Sequence, residues 1–157
     1  MSLERSLLAA QGYIELEMIG EAMRELDALS AEDRGCKEAR QMRLFVFMRS
    51  KRWDEALTVC RQLREGNPAC AAGYVHGAFC LHEMGRTLEA KNLLLNGPPV
   101  LLTEPTYHYN LGCYNAVLGN LEEATRHLKT SFQMDQKFRE IAKCDPDLKP
   151  VSGLLGP

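Results

Sequence analysis

Residues 109–124 read YNLGCYNAVLGNLEEA, and this stretch decides the fold class. Its apolar side chains follow a spacing of three and four residues, which places them on one face of a helix. Gly119 then interrupts the pattern, because glycine readily takes the left-handed conformation that ends a helix. Glu123-Ala124 opens a second helix, in which the small alanine permits close approach of the first and the glutamate interacts favourably with the helix dipole. The stretch therefore predicts a helix-turn-helix unit.

The same unit recurs along the chain at a constant interval of 34 residues. The Glu-Ala pair lies at Glu21-Ala22, Glu55-Ala56, Glu89-Ala90 and Glu123-Ala124. Apolar residues recur four positions after each alanine, at Leu26, Cys60, Leu94 and Leu128. Self-similarity at such a period is typical of stacked repeats, each of which is one supersecondary unit. The sequence therefore predicts an all-α chain of four helix-turn-helix repeats.

These residues resemble the tetratricopeptide repeat (TPR) family, whose period is 34 and whose pattern places a small residue, a turn glycine and an alanine where Gly112, Gly119 and Ala124 stand. The resemblance is to bacterial-type TPR proteins, many of which end in a segment similar to residues 142–148. It implies a right-handed α-α superhelix, the TPR solenoid, of four repeats with a C-terminal capping helix. Glu17 replaces the turn glycine of the first repeat, so the regularity of that turn stays open.

The chain is predicted to form a single TPR domain over residues 1–148. The expected boundaries are about 3–34, 37–70, 71–104 and 105–136 for the repeats, about 136–143 for the capping helix and 149–157 for a flexible tail. A cap is expected because an uncovered last repeat would expose its apolar flank. Residues 96–105, NGPPVLLTEP, predict a shortened second helix and an extended connector. Its apolar residues, 100–102, are either packed against the stack or presented as an interaction edge.

Composition and charge exclude several classes of function. The 19 basic and 21 acidic residues nearly cancel, so no net positive field attracts nucleic acid or anionic lipid. The first twenty residues lack the basic start and uninterrupted apolar stretch of a secretory signal, and no apolar run approaches the ~20 residues that cross a bilayer. The six cysteines include no C-x-x-C pair and are interpreted as reduced, packed thiols. We therefore expect a cytoplasmic protein with no nucleic-acid or membrane partner.

The resemblance also implies a concave groove lined by the first helix of each repeat. Family geometry places these residues in it: Leu7, Gln11 and Ile14; Gln41, Phe45, Met48 and Arg49; Val75, His76, Phe79 and His82; Tyr109, Asn110, Cys113 and Ala116. Such a lining is apolar and aromatic with a few neutral polar groups, which suits an amphipathic helix or an extended peptide with apolar anchors. The alternative is that Phe45 and Phe79 pack only against neighbouring helices.

A carboxylate clamp is not expected in this groove. Some relatives grip a partner's C-terminal carboxylates with lysines, arginines and asparagines, because anions need paired cationic and amide donors. The corresponding positions here are Leu7, Gln11, Met42, Thr106 and Asn110. Only Asn110 has the required type.

Metal or thiol chemistry is the weaker interpretation of the histidines and cysteines. His76 and Cys80 are four residues apart on one predicted helix, with His82 and Cys113 as further candidates. Structural zinc needs four ligands and a catalytic thiol needs an oriented base, and this spacing supplies neither. No phosphate-loop, zinc-protease or hydrolase motif occurs. We expect no enzyme activity, cofactor or metal.

The predicted function is a scaffold that binds a protein or peptide partner in the groove. One alternative is self-assembly into a homo-oligomer through the end helices or through residues 96–105. The other is a thiol- or metal-dependent enzyme.

Overall fold

A computed structural model describes residues 2–156, and every regular element within them is helical. The α-helices are α1 (Leu3–Glu15), α2 (Ile19–Asp27), α3 (Ala31–Arg34), α4 (Lys37–Arg49), α5 (Trp53–Gly66), α6 (Ala71–Glu83), α7 (Thr87–Leu95), α8 (Pro105–Val117), α9 (Leu121–Met134) and α10 (Lys137–Lys143). There are also two 3₁₀ helices. Pro99–Thr103 is called the connector segment and Pro146–Leu154 the C-terminal segment. The prediction of an all-α fold is confirmed. None of the helices in this range is long and apolar enough to cross a membrane.

Four turns between paired helices share one backbone geometry. Their positive-φ residues lie 34 apart, at Glu17 (59°), Lys51 (57°), Gly85 (78°) and Gly119 (85°). The backbone N–H of the following residue donates each time to a carbonyl five positions earlier, at N···O distances of 2.7, 2.8, 2.8 and 2.8 Å. The first hairpin therefore has the regular turn, because this hydrogen bond holds Glu17 in a conformation that glycine adopts without steric cost.

The 34-residue period also marks the core. The alanines of the four Glu-Ala pairs are completely buried, at Ala22, Ala56, Ala90 and Ala124. The apolar residues four positions later are buried as well, at Leu26, Cys60, Leu94 and Leu128. Each hairpin is thus closed by an alanine that lets its two helices approach and by a larger side chain one turn further on.

The chain divides into two compact units, Met1–Asn67 and Pro68–Pro157. In the first unit α1 packs against α2 and α4 against α5, while α4 also contacts α1 and α2. A core cluster that joins the first hairpin to α4 contains Ala10, Ile14, Ala22, Leu26, Leu29, Ala39 and Val46. The short helix α3 was not predicted from the repeat pattern. It begins after Ser30, whose hydroxyl accepts a hydrogen bond from the backbone N–H of Asp33 at 3.1 Å.

In the second unit α6 pairs with α7 and α8 with α9, and α8 contacts both α6 and α7. Helix α10 lies where the capping helix was predicted and contacts α9, and its side chains Phe138 and Ala142 are buried. The predicted single domain over residues 1–148 stays a prediction.

The residues predicted to form a flexible tail, 149–157, require a correction. Up to Leu154 they belong to the C-terminal segment, which contacts α8 and α9; Pro157 lies outside the described residues. Leu148 and Val151 are 1% and 0% exposed. The reason is geometric: α10 has seven residues and α9 has fourteen, so apolar surface that the cap leaves uncovered is buried by these side chains.

The connector segment also differs from the prediction of an extended chain. It is a 3₁₀ helix that begins at Pro99, because proline fixes φ near the helical value and is tolerated in a first turn. Leu101 is buried against Gly97, where a Cβ atom would lie 2.3 Å from its Cδ1. Val100 and Leu102 are exposed. Of the two interpretations of residues 100–102, packing against the stack therefore holds for Leu101, and exposure at the surface holds for Val100 and Leu102.

Replacing Gly112 with alanine is expected to destabilise the second unit by about 1–3 kcal/mol, the usual cost of overpacking. The new Cβ atom would lie 2.5 Å from Cγ of the buried Leu128 and 3.3 Å from the carbonyl oxygen of Ala124. Gly12→Ala is the control, since a Cβ there meets nothing within 4 Å. That change should be neutral or stabilise α1 by up to about 1 kcal/mol. Urea unfolding followed by circular dichroism measures both, and equal losses would contradict the packing argument.

Candidate peptide-binding pockets

The first unit carries an open pocket of about 450 Å³ between α1 and α4, the first pocket. Five predicted groove residues line it: Leu7, Gln11 and Ile14 from α1, and Gln41 and Phe45 from α4. Met42 adds a further apolar wall. These residues meet because side chains three and four apart share a helix face, and the two helices contact each other.

Phe45 is the prominent apolar side chain of the first pocket. It is 47% exposed, although its neighbours Leu44 and Val46 are buried. Its ring lies 5.8 Å from the guanidinium of Arg49, which pairs at 3.4 Å with a carboxylate oxygen of Glu17. Packing between helices therefore does not account for this side chain, of which nearly half meets solvent.

Two carboxylates that the sequence analysis missed lie in the walls of the first pocket. They are Glu15 of α1 and Glu38 of α4. Glu15 accepts a hydrogen bond from the side-chain amide of Gln11 at 3.2 Å, and neither carboxylate forms an ion pair within residues 2–156. Helical spacing could have identified both, because Glu15 follows Gln11 by four residues and Glu38 precedes Gln41 by three.

The second unit carries a pocket of about 650 Å³ on α6, α8 and the start of the C-terminal segment, the second pocket. Five predicted groove residues line it: Phe79, His82, Tyr109, Asn110 and Cys113. The sequence analysis missed Asp145, Pro146 and Asp147, which close one side of it. No local pattern points to these three residues, because only the path of the chain after α10 brings them here.

Polar contacts hold the two aspartates of the second pocket in place. The hydroxyl of Tyr109 donates to Oδ2 of Asp145 at 2.6 Å, and the thiol of Cys113 donates to the same oxygen at 3.6 Å. Oδ1 of Asp145 accepts from the backbone N–H of Asp147 at 3.0 Å. Nε2 of His82 lies 2.8 Å from Oδ2 of Asp147, and Nδ1 lies 2.9 Å from the hydroxyl of Thr87. These contacts tie the C-terminal segment to α6 and α8.

The same surroundings suppress ionisation of the buried donors. Burial raises the pKa of the Tyr109 hydroxyl well above its ordinary value, and the hydrogen bond to Asp145 raises it further. Burial, followed by the charges of Asp145 and Asp147, likewise raises the pKa of the Cys113 thiol. Nucleophilic catalysis requires a thiolate, so a protonated Cys113 offers no support for thiol chemistry.

One group of metal-ligand types occurs within the described part of the chain. Donor atoms of Cys113, Asp145 and Asp147 lie within 4.8 Å of one another and could hold a divalent cation. The Asp145 carboxylate already accepts hydrogen bonds, however, the Asp147 carboxylate lies 2.8 Å from Nε2 of His82, and the raised pKa of the Cys113 thiol disfavours the thiolate that a metal would need. The sequence candidates His76 and Cys80 do not belong to this group. Burial lowers the pKa of His76, and Cys80 is completely buried.

The remaining predicted groove residues do not line either pocket. Val75 and Ala116 are buried in the second unit, and His76 is half-buried. In the first unit Met48 is half-buried and Arg49 lies beside the ring of Phe45.

No family model and no curated protein matches this chain. Solved structures of MamA match its fold. The structure "MamA 41-end from Desulfovibrio magneticus RS-1" has a TM-score of 0.74 at 17% identity and covers 87% of this chain and 77% of that one. The structure "MamA MSR-1 C2" has a TM-score of 0.72 at 17% identity and covers 88% of this chain and 79% of that one. The structure "MamA AMB-1 C2221" has a TM-score of 0.69 at 18% identity and covers 86% of this chain and 79% of that one. The fold is that of a TPR-like helical solenoid. At this identity the likeness concerns the fold alone, so the function of the solenoid is argued from its own pockets.

Proposed function

We propose that this TPR-like solenoid is a protein-interaction scaffold that binds a peptide or helical segment, with the first pocket as the principal site. The exposed ring of Phe45 beside the apolar wall of Leu7 and Ile14 carries the proposal. Aromatic side chains at the rim of an apolar pocket dominate the affinity of protein interfaces, because they bury a large area on binding. A single exposed apolar side chain is ordinary, but this ring borders a pocket with apolar walls, where a bound segment would cover it.

The first pocket supports a ligand with apolar anchors on one face. Its two walls are helix faces, so the space between them is a furrow and not a closed cavity. An amphipathic helix lays side chains spaced three and four apart into such a furrow, and an extended peptide places alternate side chains there. The glutamines Gln11 and Gln41 supply neutral hydrogen-bonding groups at the edge.

Phe45→Ala is expected to weaken peptide binding about tenfold or more, which corresponds to the loss of an aromatic anchor. The probe is a set of peptides selected from a random display library on the immobilised full chain. Dissociation constants of the selected peptides are then measured by fluorescence anisotropy on the wild type and on the variant. Circular dichroism checks that the variant keeps its helical content.

The matched control is Leu8→Ala. Leu8 lies on the same helix as Leu7 but is 64% exposed and outside the first pocket, so binding should not change. Peptide affinities that are equal on Phe45→Ala and on the wild type would contradict the proposal, as would a library that yields no binders.

Self-association is a second candidate function, supported by a specific observation. Val100 and Leu102 of the connector segment are exposed and adjacent to the buried Leu101. Light scattering across concentrations tests it: a molar mass that rises with concentration favours assembly, and a constant monomer mass excludes it. We propose no enzymatic role, since the Cys113 thiol is buried and protonated.

A further inference from the structure

We propose that the segment bound by the first pocket is cationic, with apolar anchors flanked by lysine or arginine. This inference rests on the proposed peptide-binding function and specifies the chemistry of the partner. It is drawn from the charges that line the pockets.

The first pocket is apolar at its centre and acidic in its walls. Its charged lining residues are Glu15 and Glu38, and no lysine or arginine lines it. The guanidinium of Arg49 lies 5.8 Å from the ring of Phe45, but it is already paired with Glu17. Two carboxylates without ion-pair partners therefore face the space that a ligand would occupy. A ligand lysine or arginine beside its apolar anchors would pair with them.

The second pocket has the same bias, on residues unrelated to those of the first. Glu83, Asp145 and Asp147 line it, and its lining includes one histidine, His82, and no lysine or arginine. Three basic side chains near the C-terminus line a neighbouring cavity of about 480 Å³: Arg139, Lys143 and Lys149. Asp145 borders this cavity as well, so the two spaces adjoin, but the basic side chains line only the cavity and none of them lines the second pocket.

This acidity is local and does not follow from the composition. The chain has a formal net charge of -2, from 19 basic and 21 acidic residues, yet five carboxylates and no lysine or arginine line the two pockets. Complementary charge selects partners and speeds their association, and like charges reject competitors. An acidic segment with the same apolar anchors would be repelled, and the cationic one would bind less tightly as salt screens the attraction.

Two designed probes test the inference: an amphipathic leucine-lysine peptide and its leucine-glutamate counterpart of the same length. The lysine peptide is expected to bind the full wild-type chain about tenfold more tightly than the glutamate peptide. Its lysines form several weak attractive ion pairs with the carboxylates of the pocket, whereas the glutamates of the other peptide are repelled by them. Reversing both charges with Glu15→Lys and Glu38→Lys should invert that preference. Anisotropy titrations at low and high salt provide the measurement.

The control is Glu4→Lys combined with Glu32→Lys. It changes the net charge by the same amount at exposed acidic residues outside the first pocket, so the preference for the lysine peptide should persist. If both double variants act alike, only net charge matters and the inference is overturned. Circular dichroism confirms that both variants fold.

The library separates failure of this inference from failure of the proposed function. Selected peptides that depend on Phe45 and are enriched in lysine or arginine support both. Selected peptides that depend on Phe45 but lack such enrichment overturn the cationic partner and leave the scaffold proposal standing. If no selected peptide depends on Phe45, the proposed function fails and the inference fails with it. Should neither designed peptide bind, the composition of the selected peptides decides.

Discussion

Leu148→Ala is expected to lower the free energy of unfolding of the second unit by about 2–5 kcal/mol. Leu148 is 1% exposed and lies in the C-terminal segment, which packs on α8 and α9. Truncation removes the transfer free energy of three heavy atoms and leaves a cavity that the surrounding helices fill only in part. Urea unfolding followed by circular dichroism measures the loss, and native-state hydrogen exchange of α8 and α9 locates it.

The control for this change is Leu154→Ala at the end of the same segment. Leu154 is 53% exposed, so the same truncation should cost less than about 0.5 kcal/mol. If both variants unfold at the wild-type urea concentration, the C-terminal segment does not contribute to the core and its assignment as part of the fold is wrong.

Asp145→Ala is expected to destabilise the second unit by about 1.5–3 kcal/mol, the range for hydrogen bonds to charged groups. The substitution removes the acceptor of the Tyr109 hydroxyl and of the Cys113 thiol, and both donors lie in buried side chains. It also removes the hydrogen bond to the backbone N–H of Asp147 that starts the C-terminal segment. Unsatisfied buried donors then add to the cost.

A double-mutant cycle with Tyr109→Phe isolates the tertiary part of this effect. The two substitutions should be non-additive by about 0.5–3 kcal/mol, because each removes the same hydrogen bond. Asp135→Ala is the matched control: Asp135 likewise accepts from a backbone N–H two residues later, at 3.1 Å, but its ion pair with Lys137 is a local one at the surface. It should cost only about 0.5–1 kcal/mol. Additive effects of Asp145→Ala and Tyr109→Phe would show that the contact contributes nothing.

These two variants also separate the pockets experimentally. Asp145 lines the second pocket, and Leu148 lies on the segment that closes it, whereas the first pocket contains no residue after Phe45. Peptides whose binding depends on Phe45 should therefore retain their affinity on both variants at temperatures where the chain remains folded. The two destabilising changes thus serve as a further check on where the peptide binds.

The sequence by itself determined the helix pairs, their register and the positions of the turns between them, although it left the conformation of the turn at Glu17 open. Each of these features depends on contacts within one 34-residue unit, so a repeated pattern of glutamate, alanine and large apolar residues encodes it locally. The turn at Glu17 is instructive, because the residue type argued against a left-handed turn and the period argued for it. The resemblance to the repeat family, and not the local pattern alone, grouped Leu7, Gln11, Ile14, Gln41 and Phe45, which line one pocket on two successive first helices.

Only the tertiary structure decided that the C-terminal segment packs on the helices and which side chains line the pockets. Asp145 meets Tyr109 across 36 positions and Asp147 meets His82 across 65, so no local period relates these partners. The proline- and glycine-rich composition of the tail, residues 149–157, predicted fraying, yet Val151 is buried because the short α10 leaves apolar surface to cover. The exposure of individual apolar side chains also depends on tertiary packing. Leu101 is buried and Phe45 is exposed, because the packed helices cover the first and leave the second free.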